Sequence, residues 1–499
     1  MAKCPVCKSD CGDDNRCSCC GFNQVGKEFI NRDEAVYWLE NVVRPYVSEY
    51  LENYSENFIF EGSILKKVIN NKLDVVNIPE GVTEIARGAF SAWLRPKRIS
   101  IPSSLTFIDD RCNLNTCNLE SIEVHSNNKS FLSEGNCCID RVQDTVVFGC
   151  KNSIIPDYVT KVGRGAFRQI SKLPSNIIGQ GVVFIEKNAF YMCGFDRLII
   201  PANVQEIESQ AFRMCQLKHI EVDISNTTFY SETDACIRRA DRTLVIGCEN
   251  TIIPNDVEVI GEYSFFHCIN LQRISLPQKL IKIEKRAFNG CRKITDVILP
   301  PTLVELGAYA FAGTGIRQIL IPKQTAVIQG GVFANCRRLI SILVDCNNST
   351  YYSENNCCIE KSNNKLIAGC RKSVIPKNVS VIGEGALSYV TPDYLIKEVE
   401  YEINKQEISG VLSIPEHIQT IETDGLGMNN YLAVIIPMSV RRIDECGIGG
   451  TVFCKHKEKP KEWHTEWYEE LLYDDYAVVY WFGEWEYDEN NNPFPKELL

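Results

Sequence analysis

The stretch LPQKLIKIEKRAFNGCRKITDVILP, residues 276–300, begins and ends on the same apolar–proline pair. Between the pairs lie Leu280, Ile283, an Ala287-Phe288 step, Cys291 three residues after the phenylalanine, and a closing apolar run that leads into the next proline. Ile/Leu-Pro steps start at Ile78, Ile101, Ile155, Ile200, Ile253, Leu276, Leu299, Ile321, Ile375, Ile414 and Ile436, and several gaps are 22 or 23 residues. A fixed period of that size signals a repeat architecture. One unit can supply only a short strand and a turn, too little to bury its own apolar positions. Neighbouring units must therefore stack into a solenoid.

Equal positions in stacked coils form ladders through the core. The phenylalanines do this at Phe90, Phe167, Phe190, Phe212, Phe265, Phe288, Phe311 and Phe333. Three residues later come Cys193, Cys215, Cys268, Cys291 and Cys336, with Cys117 in register after Leu114, and these read as small buried thiols. Three gaps of 53 or 54 residues each hold an insert, near 124–154, 222–252 and 344–374. Each insert has an Asn-rich corner (Asn127-Asn128, Asn226, Asn347-Asn348) and a polar centre (DRVQDT, RRADRT, EKSNNK) between apolar flanks, the pattern of a hairpin turn. Cysteines twelve residues apart recur in all three, 138/150, 236/248 and 358/370, and a two- or three-residue turn would place them opposite, or one step from opposite, across the hairpin. The intervals 155–200 and 375–414 fit the period less well and predict irregular coils.

The unit, the hairpin insert and the Trp-rich terminus together resemble the BspA-type branch of the leucine-rich repeat family, over roughly Ile64 to the end. The resemblance implies a helix-poor, right-handed solenoid with a parallel sheet on its concave side, in residues 61–454. It also implies a binding role, often at bacterial surfaces, and a repeat that is not catalytic. Family inserts carry Leu and an apolar or Pro residue where this chain has Cys138 and Cys150, which favours packing over a disulfide or a metal site.

At the amino terminus, Cys4-x2-Cys7 and Cys17-x2-Cys20 followed by Gly21 form two CxxC knuckles. Four thiolates at that spacing hold Zn²⁺ tetrahedrally with no open position, so a small knuckle at 1–27 is expected, with zinc in a structural role. Cys11 and Cys19 are left over and leave the ligand set open. Residues 28–60 follow as a helix or amino-terminal cap. Asn31 and Glu34 suit a capping box, and Ala35, Trp38, Leu39, Val42, Val43, Tyr46, Val47 and Tyr50 keep the spacing of one helical face. Pro45 should kink or end that helix. The pair looks like zinc-ribbon modules prefixed to varied bacterial domains.

Twenty-four cysteines without a signal-like amino terminus point to a reducing interior, hence a cytoplasmic protein. The alternatives are a surface adhesin exported by another route and a zinc-ribbon nucleic-acid adaptor. The net charge of −11 argues against a general nucleic-acid binder, and no apolar run is long enough to span a membrane. Eleven Asp and Glu against two Lys lie between Lys461 and Leu499, where Trp463, Trp467, Trp481 and Trp485 predict an acidic aromatic cap over 455–499. No catalytic constellation is present. The six histidines form no HExxH, His267-Cys268 falls in the cysteine ladder, and GRGAF at 163 and GEGAL at 383 are steps of the repeat.

A protein partner is the expected ligand. If the closing run before each apolar–proline is a strand, its side chains alternate, and the outward residues are Ser100, Ile199, Ser275, Ile298, Leu320 and Ile435, with Leu343 entering the third insert. Ile298, Leu320 and Leu343 then form an apolar column flanked by Arg273, Asp296, Arg317 and Gln318, a pattern typical of a protein-binding face.

Overall fold

The computed structural model describes residues 54–388 except 92–93 and 115–118, and 396–496 except 404–405, 428–431, 446, 449–450, 468–478 and 489–491. Before residue 54 it describes Val42, Val43, Val47, Leu51 and Glu52. Cys4, Cys7, Cys17 and Cys20, the expected zinc ligands, lie outside the described residues, as do Cys11, Cys19 and Cys117. The chain divides into two units, Met1–Ser231 and Glu232–Leu499. Both are helix-poor parallel β-solenoids.

Each coil contributes strand at two places. The closing run before the proline forms one, as expected: Gln318–Ile321 pairs in parallel with Ser341–Val344, and Arg197–Ile200 with His219–Val222. The second place is a two-residue strand seven residues after each apolar–proline start, and it carries the longer ladders. In the second unit Thr243–Ile246, Val259–Ile260, Lys282–Ile283, Glu305–Leu306 and Val327–Ile328 pair one after another. The reason lies in the inserts. Each leaves the solenoid from a closing strand and interrupts that sheet, but the second strand of its hairpin joins the other ladder in register, Thr145 to Lys161 and Lys365 to Val381.

The turn between the two strands wraps around the phenylalanine. The residues two before and two after it take left-handed conformations, as at Asn188 (φ 59°) and Met192 (φ 56°) around Phe190 and at Arg286 (φ 55°) and Gly290 (φ 79°) around Phe288. That alternation points successive N–H groups at the next coil, so Arg286, Phe288 and Gly290 donate to Ala308, Ala310 and Ala312 at 2.8–2.9 Å. Strained dihedrals are tolerated because every coil repeats them and satisfies its neighbour. The rings stack: Phe167–Phe190–Phe212 at 5.2 and 5.1 Å in the first unit, and Phe265–Phe288–Phe311 at 5.0 and 5.3 Å in the second. Each fully buried ring contributes about 1.5–3 kcal/mol from burial alone.

The cysteines three residues after the phenylalanines are more than filler. Cys193 and Cys215 donate to the carbonyls of Phe167 and Phe190 in the preceding coil at 2.7 and 2.9 Å, and Cys291 to Phe265 at 3.0 Å. A small thiol thus fills the ladder position and satisfies a buried acceptor.

Within the inserts a buried asparagine makes the corner. Asn348 donates through Nδ2 to the carbonyls of Pro322 and Thr325 (2.8 and 2.9 Å), and its Oδ1 accepts from the Thr350 and Tyr351 amides. Asn128 and Asn226 repeat the same four bonds. Each insert's departure is also fixed by a serine: Ser133, Ser231 and Ser353 accept from the amides of Val124, Val222 and Val344 at 2.9–3.0 Å.

Two expectations are corrected here. The interval 155–200 is regular: Lys161–Val162, Phe184–Ile185 and Glu206–Ile207 pair in sequence, with Ile178-Gly179 standing where other coils have Ile-Pro. The twelve-apart cysteines do not face each other. The hairpin turns over Arg141–Asp144, with Asp140 opposite Thr145, and even after a bulge between Val146 and Phe148 Cys138 lies opposite Phe148 and Cys137 opposite Gly149. The interval 375–414 does depart from the coil pattern, through a hairpin of Ile396–Ile403 and Gln406–Ser413.

At the two ends, Val43, Val47 and Leu51, four residues apart, are buried against the core containing Phe58 and Leu65. Trp463 and Trp467 are buried with Cys454 and Val452 of the last long strand, and Trp485 donates through its indole nitrogen to the Cys454 carbonyl at 3.1 Å.

Candidate binding surface

Strand alternation decides which side chains of the closing runs leave the core. In Gln318–Ile321 the pattern is out, in, out, in, so Ile319 and Ile321 are buried while Gln318 and Leu320 are exposed. Parallel pairing sets Leu320 beside Leu343 and Gln318 beside Ser341. Leu320 is 55% exposed and Leu343 53%, and Ile298, at the matching step of the preceding coil, is 86% exposed. No insert hairpin covers these three. Arg273, Asp296 and Arg317 are exposed beside them. Ile435, expected to point outward by the same alternation, is instead buried with Phe453 and Trp485, because the terminal segment covers it.

The sequence reading passed over Ile252 and Val374, which also precede an Ile-Pro step and are also exposed. Both follow inserts, but the step before Ile-Pro is itself the signal that would have found them.

Beside the column lies an open groove of about 950 Å³, walled by Arg273, Arg292, Lys293, Arg338, Asp296 and Ile298 among others. Its charge is positive. Asp296 is engaged by the Thr295 hydroxyl at 2.7 Å, and Lys293 donates to Asn270 at 2.9 Å. Among the described residues none of the four cations has a carboxylate partner, whereas the outer charges of the other ladder are paired, Lys282 with Glu284 and Glu305 at 3.4 and 3.5 Å.

The other described candidates are thiols. Cys268 is buried and its thiol is pushed up to about 12 by burial, with no help from the adjacent His267, whose ring packs on Phe266. Burial likewise pushes the insert thiols Cys137, Cys236 and Cys358 up to about 12, which leaves them protonated and inert at neutral pH. All sixteen described cysteines are free thiols, and Cys346 alone among them is exposed. Among the described residues no cluster of His, Cys, Asp and Glu could hold a metal ion, and no helix is long and apolar enough to cross a membrane.

The repeat geometry agrees with a family model for the BspA type leucine rich repeat region, which matches six copies over residues 59–137, 147–236 and 245–363, more than half of the chain. The chain belongs to the BspA-type leucine-rich repeat family. Similar solved structures include the pneumococcal vaccine antigen PcpA, at 18% identity and a TM-score of 0.42 over 80% of this chain and 91% of that one. Others are a leucine-rich cell surface protein from Faecalibacterium prausnitzii A2-165 (20% identity, TM-score 0.43, 66% of this chain and 90% of that one) and a leucine-rich repeat protein from Bacteroides ovatus ATCC 8483 (20%, 0.34, 84% and 94%). No curated protein matches the chain. Membership in the BspA-type family is consistent with a non-catalytic repeat protein.

Proposed function

We propose that this chain is a non-catalytic bacterial recognition scaffold that works inside the cell and captures a protein partner on the outer face of its closing strands. The observation that carries the reading is the apolar column: Ile298, Leu320 and Leu343 leave the core at successive coils and stay more than half exposed. A soluble surface rarely keeps such residues aligned unless something covers them. Free, buried thiols throughout the coils support a reducing compartment. On the same reading the amino-terminal knuckle is a zinc-folded appendage and the terminal tryptophans close the last coil.

The test is Leu320→Glu. It adds a charge where no core atom is disturbed, so the melting temperature should stay near wild type while partner capture from native lysate falls by about 30-fold, the loss of a ~2 kcal/mol anchor. Undiminished capture, or a large loss of stability, refutes the column as a binding face. Cell fractionation with thiol trapping tests the compartment, and oxidised cysteines in a surface fraction refute it.

A further inference from the structure

One coil beside the groove is short. From Phe288 to Leu299 and from Phe333 to Val344 the chain takes eleven steps, but from Phe311 to Ile321 it takes ten, and the missing position falls at Gly313-Thr314-Gly315. Counted back six residues from the end of the closing run (Leu299, Ile321, Val344), Lys293 and Arg338 hold the same place two coils apart, and the coil between them offers only Gly315. No side chain can be added there: a Cβ on Gly315 would lie 2.6 Å from the Arg292 carbonyl oxygen and 3.0 Å from that of Ile294. The gap is thus enforced by backbone contact. Arg292 and Lys293 border it on one side, Arg338 on the other, with Arg273 further along and Ile298 forming an apolar wall that continues to Leu320 and Leu343.

We propose that this groove binds an extended acidic segment of the partner protein, with carboxylates on the four cations and alternate apolar side chains on Ile298 and Leu320. The inference rests on the protein-binding reading above and specifies the partner's chemistry. Charge complementarity is the ground for it. On a chain of net charge −11, four cations that have no carboxylate partner among the described residues line one groove. Desolvated pairing with a carboxylate is the strongest contact they can make. A nucleic acid fits less well. No aromatic side chain lines the groove for base stacking, the exposed apolar wall has no use to a phosphate backbone, and the overall charge repels a polyanion.

Fluorescence anisotropy on the full-length protein tests this with three labelled twelve-residue peptides that alternate Glu with Leu, Lys with Leu, and Glu with Ser, and with a single-stranded RNA of the same length. The Glu/Leu peptide should bind at least tenfold tighter than the other two peptides. Raising the salt, or introducing R292E together with R338E, should weaken it at least tenfold, with the thermal melt unchanged because both positions are exposed. Leu320→Glu should weaken it as well. Equal binding of the Lys/Leu peptide, lost with Leu320→Glu, overturns the acidic ligand while the protein-binding face stands. Binding of RNA in preference to every peptide overturns both, and so does no binding by any peptide.

Discussion

Substituting Gly149 by alanine adds one methyl group, yet it should be among the most damaging small changes in the chain. Gly149 closes the first insert and lies against the Phe167 ring, so an added Cβ would fall 2.1, 2.6 and 2.9 Å from three ring carbons, against an ordinary contact of about 3.5–4.0 Å. Relief needs a shift of about 1.5 Å. The ring cannot give it, because Phe167 stacks on Phe190 and Phe190 on Phe212. Nor can the backbone, since Gly149 donates to the Ala166 carbonyl at 2.9 Å and sits opposite Cys137 in the hairpin. Overpacking at such a site costs about 3 kcal/mol, the upper end of the usual range. Hydrogen exchange read on peptides spanning 137–170 of the full chain should then speed up about 100-fold. Phe167→Leu in the same chain should recover at least ~1 kcal/mol of the loss, a coupling that only a direct contact produces. The third insert supplies a control: at Gly369 the added carbon would lie 2.5 Å from Cδ2 of the flexible Leu387 and 3.4 Å from the Ser373 hydroxyl, with no ring in the way, so Gly369→Ala should cost less. Exchange within twofold of wild type in Gly149→Ala, or equal losses at both glycines, would refute the packing argument.

Asn348→Ala should destabilise by ~3 kcal/mol in urea unfolding, because two buried carbonyls and two amides lose their partner, and Asn348→Asp should fare no better since a carboxylate cannot donate to Pro322 or Thr325. In the folded protein at pH 8, alkylation followed by peptide mapping should label Cys346 and spare Cys236, Cys291 and Cys358; rapid labelling of any of the last three would contradict their burial. The buried thiols also set an alkaline limit. Their folded pKa is raised, to about 12 at Cys236 and Cys358, above the ordinary value of 9.0, so the unfolded chain ionises first. Stability should be intact below pH 9 and fall steadily as the pH rises toward 12, and melts that stay flat across that window would sink the argument.

The coil register was legible because proline, isoleucine and phenylalanine each mark a position that only one geometry satisfies. The second ladder was not, since a two-residue strand such as Lys282–Ile283 is too short to show any period. The coil at 155–200 hid for a different reason: Gly179 replaces the proline, and its Cβ would lie 2.8 Å from the Ile155 carbonyl oxygen, so close stacking rather than a fixed φ holds that corner. The register of Cys138 and Cys150 was misjudged because the hairpin turns earlier than a short central turn would, over Arg141–Asp144 with Asp140 opposite Thr145. Of the binding face, Leu320 and Leu343 could be read from alternation alone. The groove could not, because its walls, Arg273, Arg292, Lys293 and Arg338, come from separate coils and meet only when the coils are stacked.

The inserts meet the frame through only a few fixed contacts. Departure is secured by a serine on the valine amide, the corner by one asparagine, and re-entry by a glycine laid against the ring or leucine of the next coil. The first residue of each variable turn, Arg141 or Lys361, braces the corner, Arg141 donating to the Phe131 carbonyl at 2.9 Å and Lys361 to the Asn348 carbonyl at 2.6 Å, and the tip beyond it carries the variation. Each insert therefore behaves as a cassette with standard ends, so a chain of this kind can gain, lose or exchange a hairpin without renegotiating the fold, and foreign loops grafted between those ends should be carried at a defined place on the solenoid.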